Sequence, residues 1–293
     1  MVAIVSHDAG GAEILSCWLS EQKEPYCLVL EGPAIKVFER NVGNIEITDL
    51  NEAISKSDWV LCGTSWQSSL EKKAIRISQN TGKKVVAFLD HWVNYEERFI
   101  DNTELILPNE IWVGDPYAED MAKEIFKETK VILKENPFFK IIKKEFVTGI
   151  NASIKDSVTI LYLCENVSEH AQCQYNNDQY FGYTEKEALM FFLDNLDIIH
   201  SSISKIIIRP HPSENPNKYN WALDLSDKIF ISSQSLMEEI SEASILVGCE
   251  TMALILGILA GKRVISNIPP GGGFCRLPQK EVESLRNLIE IKS

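Results

Sequence analysis

Positive charge, paired cysteine and long apolar runs are all scarce in this chain. Against 42 Asp and Glu stand 29 Lys and Arg, a formal net charge of −13. The averaged field therefore repels polyanions, which disfavours counterion-release binding to DNA or RNA. The one local basic cluster, Lys140 with Lys143 and Lys144, reads as a solvated face. The 7 cysteines are scattered, odd in number and never spaced C-x-x-C. That argues against a disulfide framework and suits buried thiols in a reducing cytoplasm. Cys164, His170 and Cys173 lack a fourth ligand at zinc spacing, so no metal is expected there. The longest uninterrupted apolar run, Met252 to Ala260, is far short of the roughly 20 residues that span a bilayer. No basic segment or small-residue cleavage site precedes the first apolar run, so no signal peptide is expected. These absences predict a cytoplasmic protein without nucleic-acid partners or a membrane span, with peripheral membrane association left open. Also missing are G-x-G-x-x-G, a P-loop and any D-x-D triad, which removes the motif-based dinucleotide, ATP and metal-diphosphate readings.

What is present is ordinary globular composition over 293 residues, 45% hydrophobic with 15 Gly and 11 Pro. That length suits two domains of about 150 residues each. Short apolar runs at Ala3–Val5, Tyr26–Leu30, Trp59–Cys62, Val85–Leu89 and Ile111–Val113 read as strands. Helical spacing at Gly10–Ser20, Gln67–Gln79 and Tyr117–Phe126 falls between them. The second half repeats the alternation, with strands at Val158–Leu163, Lys205–Arg209, Lys228–Ile231, Ser244–Gly248 and Arg263–Ser266. Strands alternating with helices imply parallel βαβ units. The prediction is an α/β protein of two Rossmann-like, doubly wound domains facing a cleft: 1–150 on the acceptor side and 151–293 on the donor side. The polar stretch Gly149-Ile150-Asn151-Ala152-Ser153 separates them. The segment Gln279–Ile291 reads as one more amphipathic helix, able to pack on either half.

Ligands of such sheets bind at the carboxyl ends of the strands, so the post-strand loops are where chemistry is sought. After the first strand, His7 and Asp8 precede Gly10 and Gly11 at a helix start, where close backbone approach and amide donors favour an anion; helix capping by Asp8 is the plainer alternative. Asp90 and His91 follow the fourth strand, and a carboxylate beside an imidazole can supply or orient a general base. A structural turn is the alternative there. Glu165 follows the first strand of the second half, and the aromatic run from Gln174 to Tyr183 reads as a substrate-side loop or a packed turn. Arg209-Pro210-His211-Pro212 holds an imidazole in a rigid proline-flanked turn, able to donate to a phosphate oxygen with Arg209 adding charge. Gly248-Cys249-Glu250-Thr251-Met252 is a strand, turn and helix start suited to phosphate, with Glu250 placed for ribose hydroxyls. Gly271, Gly272 and Gly273 would permit a mobile loop over a ligand, or a hinge.

The Arg209–Pro212 motif, the Ser244–Met252 turn and Gly261–Ser266 together resemble the donor half of GT-B glycosyltransferases of bacterial surface polysaccharides. Polysialyltransferases, capsular Kdo transferases and CDP-glycerol glycerophosphotransferases are the similar groups. The resemblance implies His211 at a donor phosphate, Thr251 at the same phosphate or its neighbour, and Glu250 near the ribose. It implies a nucleotide-sugar donor, CMP-linked in the favoured reading, and a carbohydrate acceptor. Such a transfer needs a base for the acceptor hydroxyl, for which Asp8 or Asp90 is the candidate on chemical grounds, and neither cofactor nor metal is expected. A UDP-sugar 2-epimerase and a non-catalytic nucleotide-sugar or polysaccharide-binding module are the alternatives.

Overall fold

A computed structural model describes residues 1–65, 68–149 and 157–292. The chain divides into two compact units, Met1–Ile141 and Ile142–Ser293. Of the expected linker Gly149–Ser153, residues 150–153 lie outside the described residues.

The first unit runs β1 (Val2–Ser6), α1 (Ala9–Ser20), β2 (Tyr26–Leu30), α2 (Pro33–Val42), α3 (Leu50–Lys56), β3 (Trp59–Cys62), α4 (Leu70–Asn80) and β4 (Lys84–Leu89). A small antiparallel pair, β5 (Ile100–Asp101) and β6 (Glu104–Leu105), precedes β7 (Glu110–Val113), α5 (Pro116–Ile125) and β8 (Lys130–Leu133). Helix α6 (Pro137–Gly149) follows. The main sheet is parallel, in the order β2-β1-β3-β4-β7-β8. Every residue of β1 is buried, as expected of a central parallel strand covered by helices on both faces. One core cluster joins β1, α1 and α2 through Ile4, Leu15 and Phe38. Beside it Trp18 on α1, Trp59 on β3 and Trp112 on β7 form a ring cluster with centroids 5.8 to 6.5 Å apart.

The second unit has the same grammar: β9 (Val158–Leu163), α7 (Val167–Tyr175), α8 (Glu185–Asp194), α9 (Leu196–Ile199), β10 (Ile203–Arg209) and a short 3-10 turn at Asn220–Leu225. Then come β11 (Ile229–Ile231), α10 (Leu236–Glu242), β12 (Ile245–Gly248), α11 (Met252–Leu259), β13 (Arg263–Ser266), β14 (Val282–Ser284) and α12 (Leu285–Lys292). Its sheet is parallel in the order β11-β10-β9-β12-β13-β14. Tyr162, Phe192, Ile208 and Val247 are buried together at its core. The last segment is not one helix: it pairs as β14 before turning into α12, whose Leu285, Leu288 and Ile289 join the core of the second unit. Seven free cysteines are present, and the expectation of burial fails at exposed Cys173, on the outer face of α7.

Candidate functional site

In the first unit the expected residues gather at the carboxyl edge of the sheet. Asp8 takes the N-cap position of α1 but makes no side-chain cap bond. Its Oδ1 instead accepts from His7 Nδ1 at 2.6 Å and from Ser65 Oγ at 2.8 Å. An ionised carboxylate only accepts, so Nδ1 carries the imidazole proton and Nε2 is left as the basic nitrogen. The His7 backbone N–H donates to Glu71 Oε1 at 2.8 Å. Glu71 is buried on the first turn of α4, and burial pushes its carboxyl up to about 7 against the pull of backbone donors. Its Oε2 has no partner among the described residues.

Asp90 sits in a different environment. Its Oδ1 accepts from Arg98 Nη1 at 2.7 Å and Thr64 Oγ1 at 3.1 Å, with both ends of the ion pair buried. That carboxylate is neutralised by a guanidinium that also holds the Thr64 carbonyl, so it orders the β3 and β4 loops rather than offering a free base. His91 accepts at Nδ1 from the Trp92 amide, 3.0 Å away. The two glycines answer to the protein itself, not to an open ligand site: a Cβ on Gly10 would lie 2.2 Å from Asp90 Oδ2, and one on Gly11 3.3 Å from the Gly63 Cα.

In the second unit, the turn after β10 is built on Glu214. Its buried carboxylate accepts from the His211 backbone N–H at 2.8 Å, from Tyr219 Oη at 2.8 Å and from Lys218. Lys218 also reaches Glu185, which accepts from the Ser168 amide and hydroxyl. The Ser213 N–H donates to His211 Nδ1 at 3.3 Å. Nδ1 is therefore an acceptor, and in the neutral ring the proton resides on Nε2. Desolvation holds the imidazole below its ordinary range, opposed by Glu214, which favours that neutral, Nε2-protonated form. Pro212 completes the exposed turn beside it.

Arg209 departs from expectation. Its Nη1 is held by Ser232 Oγ, the Gln234 carbonyl and buried Glu239, each within 2.9 Å, because a buried carboxylate on α10 needs a cation. Glu250 likewise does not stand free for a ribose; it is bound side-on by Arg276. Thr251 caps α11, accepting from the Ala253 N–H at 3.3 Å, and Met252 opens the helix. The amides of Cys249, Glu250 and Thr251 all donate to Glu165 Oε1, at 2.8, 2.8 and 3.1 Å. Burial pushes that carboxyl up to about 7, with Glu250 adding repulsion and the amides opposing.

Gly248 fits closely under the Leu163 carbonyl, 3.1 Å from where a Cβ would stand. The expected mobile glycine loop is tied down: Arg286 donates to the Gly272 and Gly273 carbonyls, and a Cβ on Gly272 would meet Tyr183 and Ile268. The Gln174–Tyr183 stretch is the end of α7 plus a turn in which the exposed Tyr175 and Tyr180 rings stack at 3.5 Å. Among the described residues no group of three or more His, Cys, Asp or Glu is placed to hold a metal ion.

Sequence reasoning missed Ser65, Glu71, Arg98, Glu214, Lys218 and Arg276. Ser65 had a usable signal, since it too follows a strand. The others lie on helices or turns where a charged residue is unremarkable in the sequence.

No family model matches the chain, and none of the curated proteins compared does. Solved structures do match. A candidate UDP-N-acetylglucosamine 2-epimerase from Listeria monocytogenes aligns at TM-score 0.57 and 13% identity, covering 90% of this chain and 78% of its own. Sucrose-phosphate synthase from Thermosynechococcus elongatus aligns at 0.49 and 12% identity, covering 91% and 81%. KpsC of Thermosulfurimonas dismutans, a beta Kdo 2,7 transferase, aligns at 0.32 and 12% identity, covering 98% and 88%. The first of these carries the conclusion on fold: the chain has two Rossmann-like domains of the GT-B type.

Proposed function

We propose that the chain is a nucleotide-sugar enzyme, and within that class a metal-independent glycosyltransferase. It takes a sugar from an activated donor, CMP-linked in the favoured case, to a glycan or glycolipid acceptor of bacterial surface polysaccharide. The observation that supports this most is the His211 turn, which holds a neutral, Nε2-protonated imidazole at the end of β10, on the same sheet edge as the α11 amides that follow β12, with β9 between them. Such a donor, with the Thr251 hydroxyl, suits the oxygens of a departing phosphate. In the first unit, His7 Nε2 is the group suited to accept a proton from an acceptor hydroxyl, and Asp8 would stabilise the resulting imidazolium. Asp90 positions the loops around them. No cofactor is needed in this scheme.

Calorimetric titration with CMP, CDP, UMP, UDP and GDP, with and without Mg²⁺, tests the reading. One cytidine nucleotide should bind without need of metal and lose at least tenfold in affinity in His211→Ala, whose exposed side chain leaves the core intact. Binding unchanged by that substitution would favour a non-catalytic module; absence of all nucleotide binding would remove the donor site. The epimerase reading has its own support in the His7, Asp8 and Glu71 cluster, two carboxyl groups and an imidazole that an acceptor-free isomerisation would use. UDP preference with sugar turnover in the absence of acceptor would decide for it.

A further inference from the structure

The amides that open α11 form a nest of three successive N–H donors, the backbone arrangement that binds phosphate and other oxyanions. An anion is already seated in it: Glu165 Oε1 receives all three. Among the described residues no cation is paired with Glu165. The Glu250 carboxylate opposes it and is itself bound by Arg276. Tyr162, Cys164, Tyr183, Cys249 and Cys275 surround the two carboxylates, and burial raises each of them, so they stay neutral and lend no positive charge. The position is also the right one. Leu163 of β9 pairs with Arg209 of β10 on one side and with Gly248 of β12 on the other, so the three following turns share an edge at about 4.8 Å per strand. The next residue, Asn166, reaches the His211 turn: its Nδ2 donates to Ser213 Oγ at 3.2 Å, and that hydroxyl lies 2.8 Å from His211 Nδ1. The buried Asn166 Oδ1 on the same side chain has no partner among the described residues, an acceptor left over where a ligand's donor would satisfy it.

We propose that Glu165 is an internal stand-in for the ligand: its carboxylate fills the nest in the free protein, and an outside oxyanion, the phosphate of an activated sugar, enters by displacing it. The identity of the ligand rests on the nucleotide-sugar reading; the exchange itself does not. Two anions cannot share three amides. Glu165 stands two residues after β9, so its backbone stays at the sheet edge, and beside a bound phosphate its carboxyl is favoured in the protonated form. Ligand binding is then coupled to uptake of a proton, and affinity falls up to tenfold for each pH unit above neutrality.

Sulfate separates these effects, because it stays a dianion throughout the range. Backbone amide resonances of Cys249, Glu250 and Thr251 are followed during sulfate titration of the full chain at pH 6, 7 and 8 and constant ionic strength. Wild type, Glu165→Ala and the isosteric Glu165→Gln are compared. The expected result is wild-type affinity that weakens as pH rises, with both variants flat in pH and Glu165→Ala at least tenfold tighter than wild type at pH 8. Equal affinity in wild type and both variants, or nest resonances that sulfate does not move in a folded Glu165→Gln and Glu165→Ala, overturns the exchange. A parallel CMP and UDP titration tells the two readings apart. Sulfate exchange without any nucleotide binding leaves the stand-in in place and removes the nucleotide-sugar reading. Nucleotide binding that is flat in pH and equal in all three proteins removes the stand-in and keeps the nucleotide.

Discussion

At the scale of single residues, what matters is which carboxyl groups carry a partner of opposite charge. Asp90 has Arg98, and both are nearly inaccessible, at 9% and 6% side-chain exposure. Asp90→Ala would strand a buried guanidinium, so it should cost about 3–5 kcal/mol, read as a lower urea midpoint. A loss below about 1 kcal/mol would show that the pair is not structural and reopen Asp90 as the base. Glu71 has no salt-bridge partner among the described residues. Its carboxyl ionises in the unfolded chain near its ordinary value of 4.5 and in the folded protein at about 7, so the unfolded state sheds its proton first. The stability this group contributes is full below pH 4.5 and declines as pH rises to about 7. Glu71→Gln, neutral throughout, should therefore recover on the order of 3 kcal/mol at pH 8 and almost nothing at pH 4. Urea unfolding at the two pH values checks it; equal gains at both would mean that the effect is packing rather than titration.

Among the elements, α11 is closely confined by the sheet beneath it. A Cβ on Gly257 would lie 2.6 Å from Leu246 Cδ2 and 3.1 Å from Val264 Cγ2, so the helix rests directly on β12 and β13. Gly257→Val should lower stability by about 1–3 kcal/mol through overpacking, and by shifting α11 should weaken any ligand held at its first turn. Stability measured by urea unfolding with no loss would show that the helix can ride up without consequence. The same scale explains what the sequence disclosed. Central strands such as β1, β3, β9 and β12 were legible because burial on both faces demands unbroken apolar runs. The edge strands β8 and β14 were not, since Lys130–Leu133 is half open to solvent and Val282-Glu283-Ser284 has one apolar residue. At the site, His7, Asp8, Glu165, His211 and Thr251 were legible because each follows a strand. Their partners were not: Ser65 and Glu71 lie 57 and 64 positions from the residues they hold, and only the folded sheet brings them near. The filled nest also escaped the sequence, because Glu165 and Cys249 are 84 residues apart.

For the whole molecule, two units with separate cores predict a divided response to ligand. With CMP at about 100 times its Kd, the stabilisation of the binding unit should be about 2.7 kcal/mol. Hydrogen exchange on the intact chain should then slow in β9, β10, β12 and α11 and stay unchanged in β1, β3 and α4. Slowing of the first unit alone would place the nucleotide there and refute the assignment of the donor to His211. The tryptophan cluster makes the two units optically unequal. Of the 6 tryptophans, all but Trp221 fall within residues 1–141, and Trp18, Trp59 and Trp112 lie close enough for their indole transitions to couple. Emission and near-ultraviolet dichroism above 295 nm are consequently a nearly private signal of the first unit, and tyrosine bands must be used to watch the second.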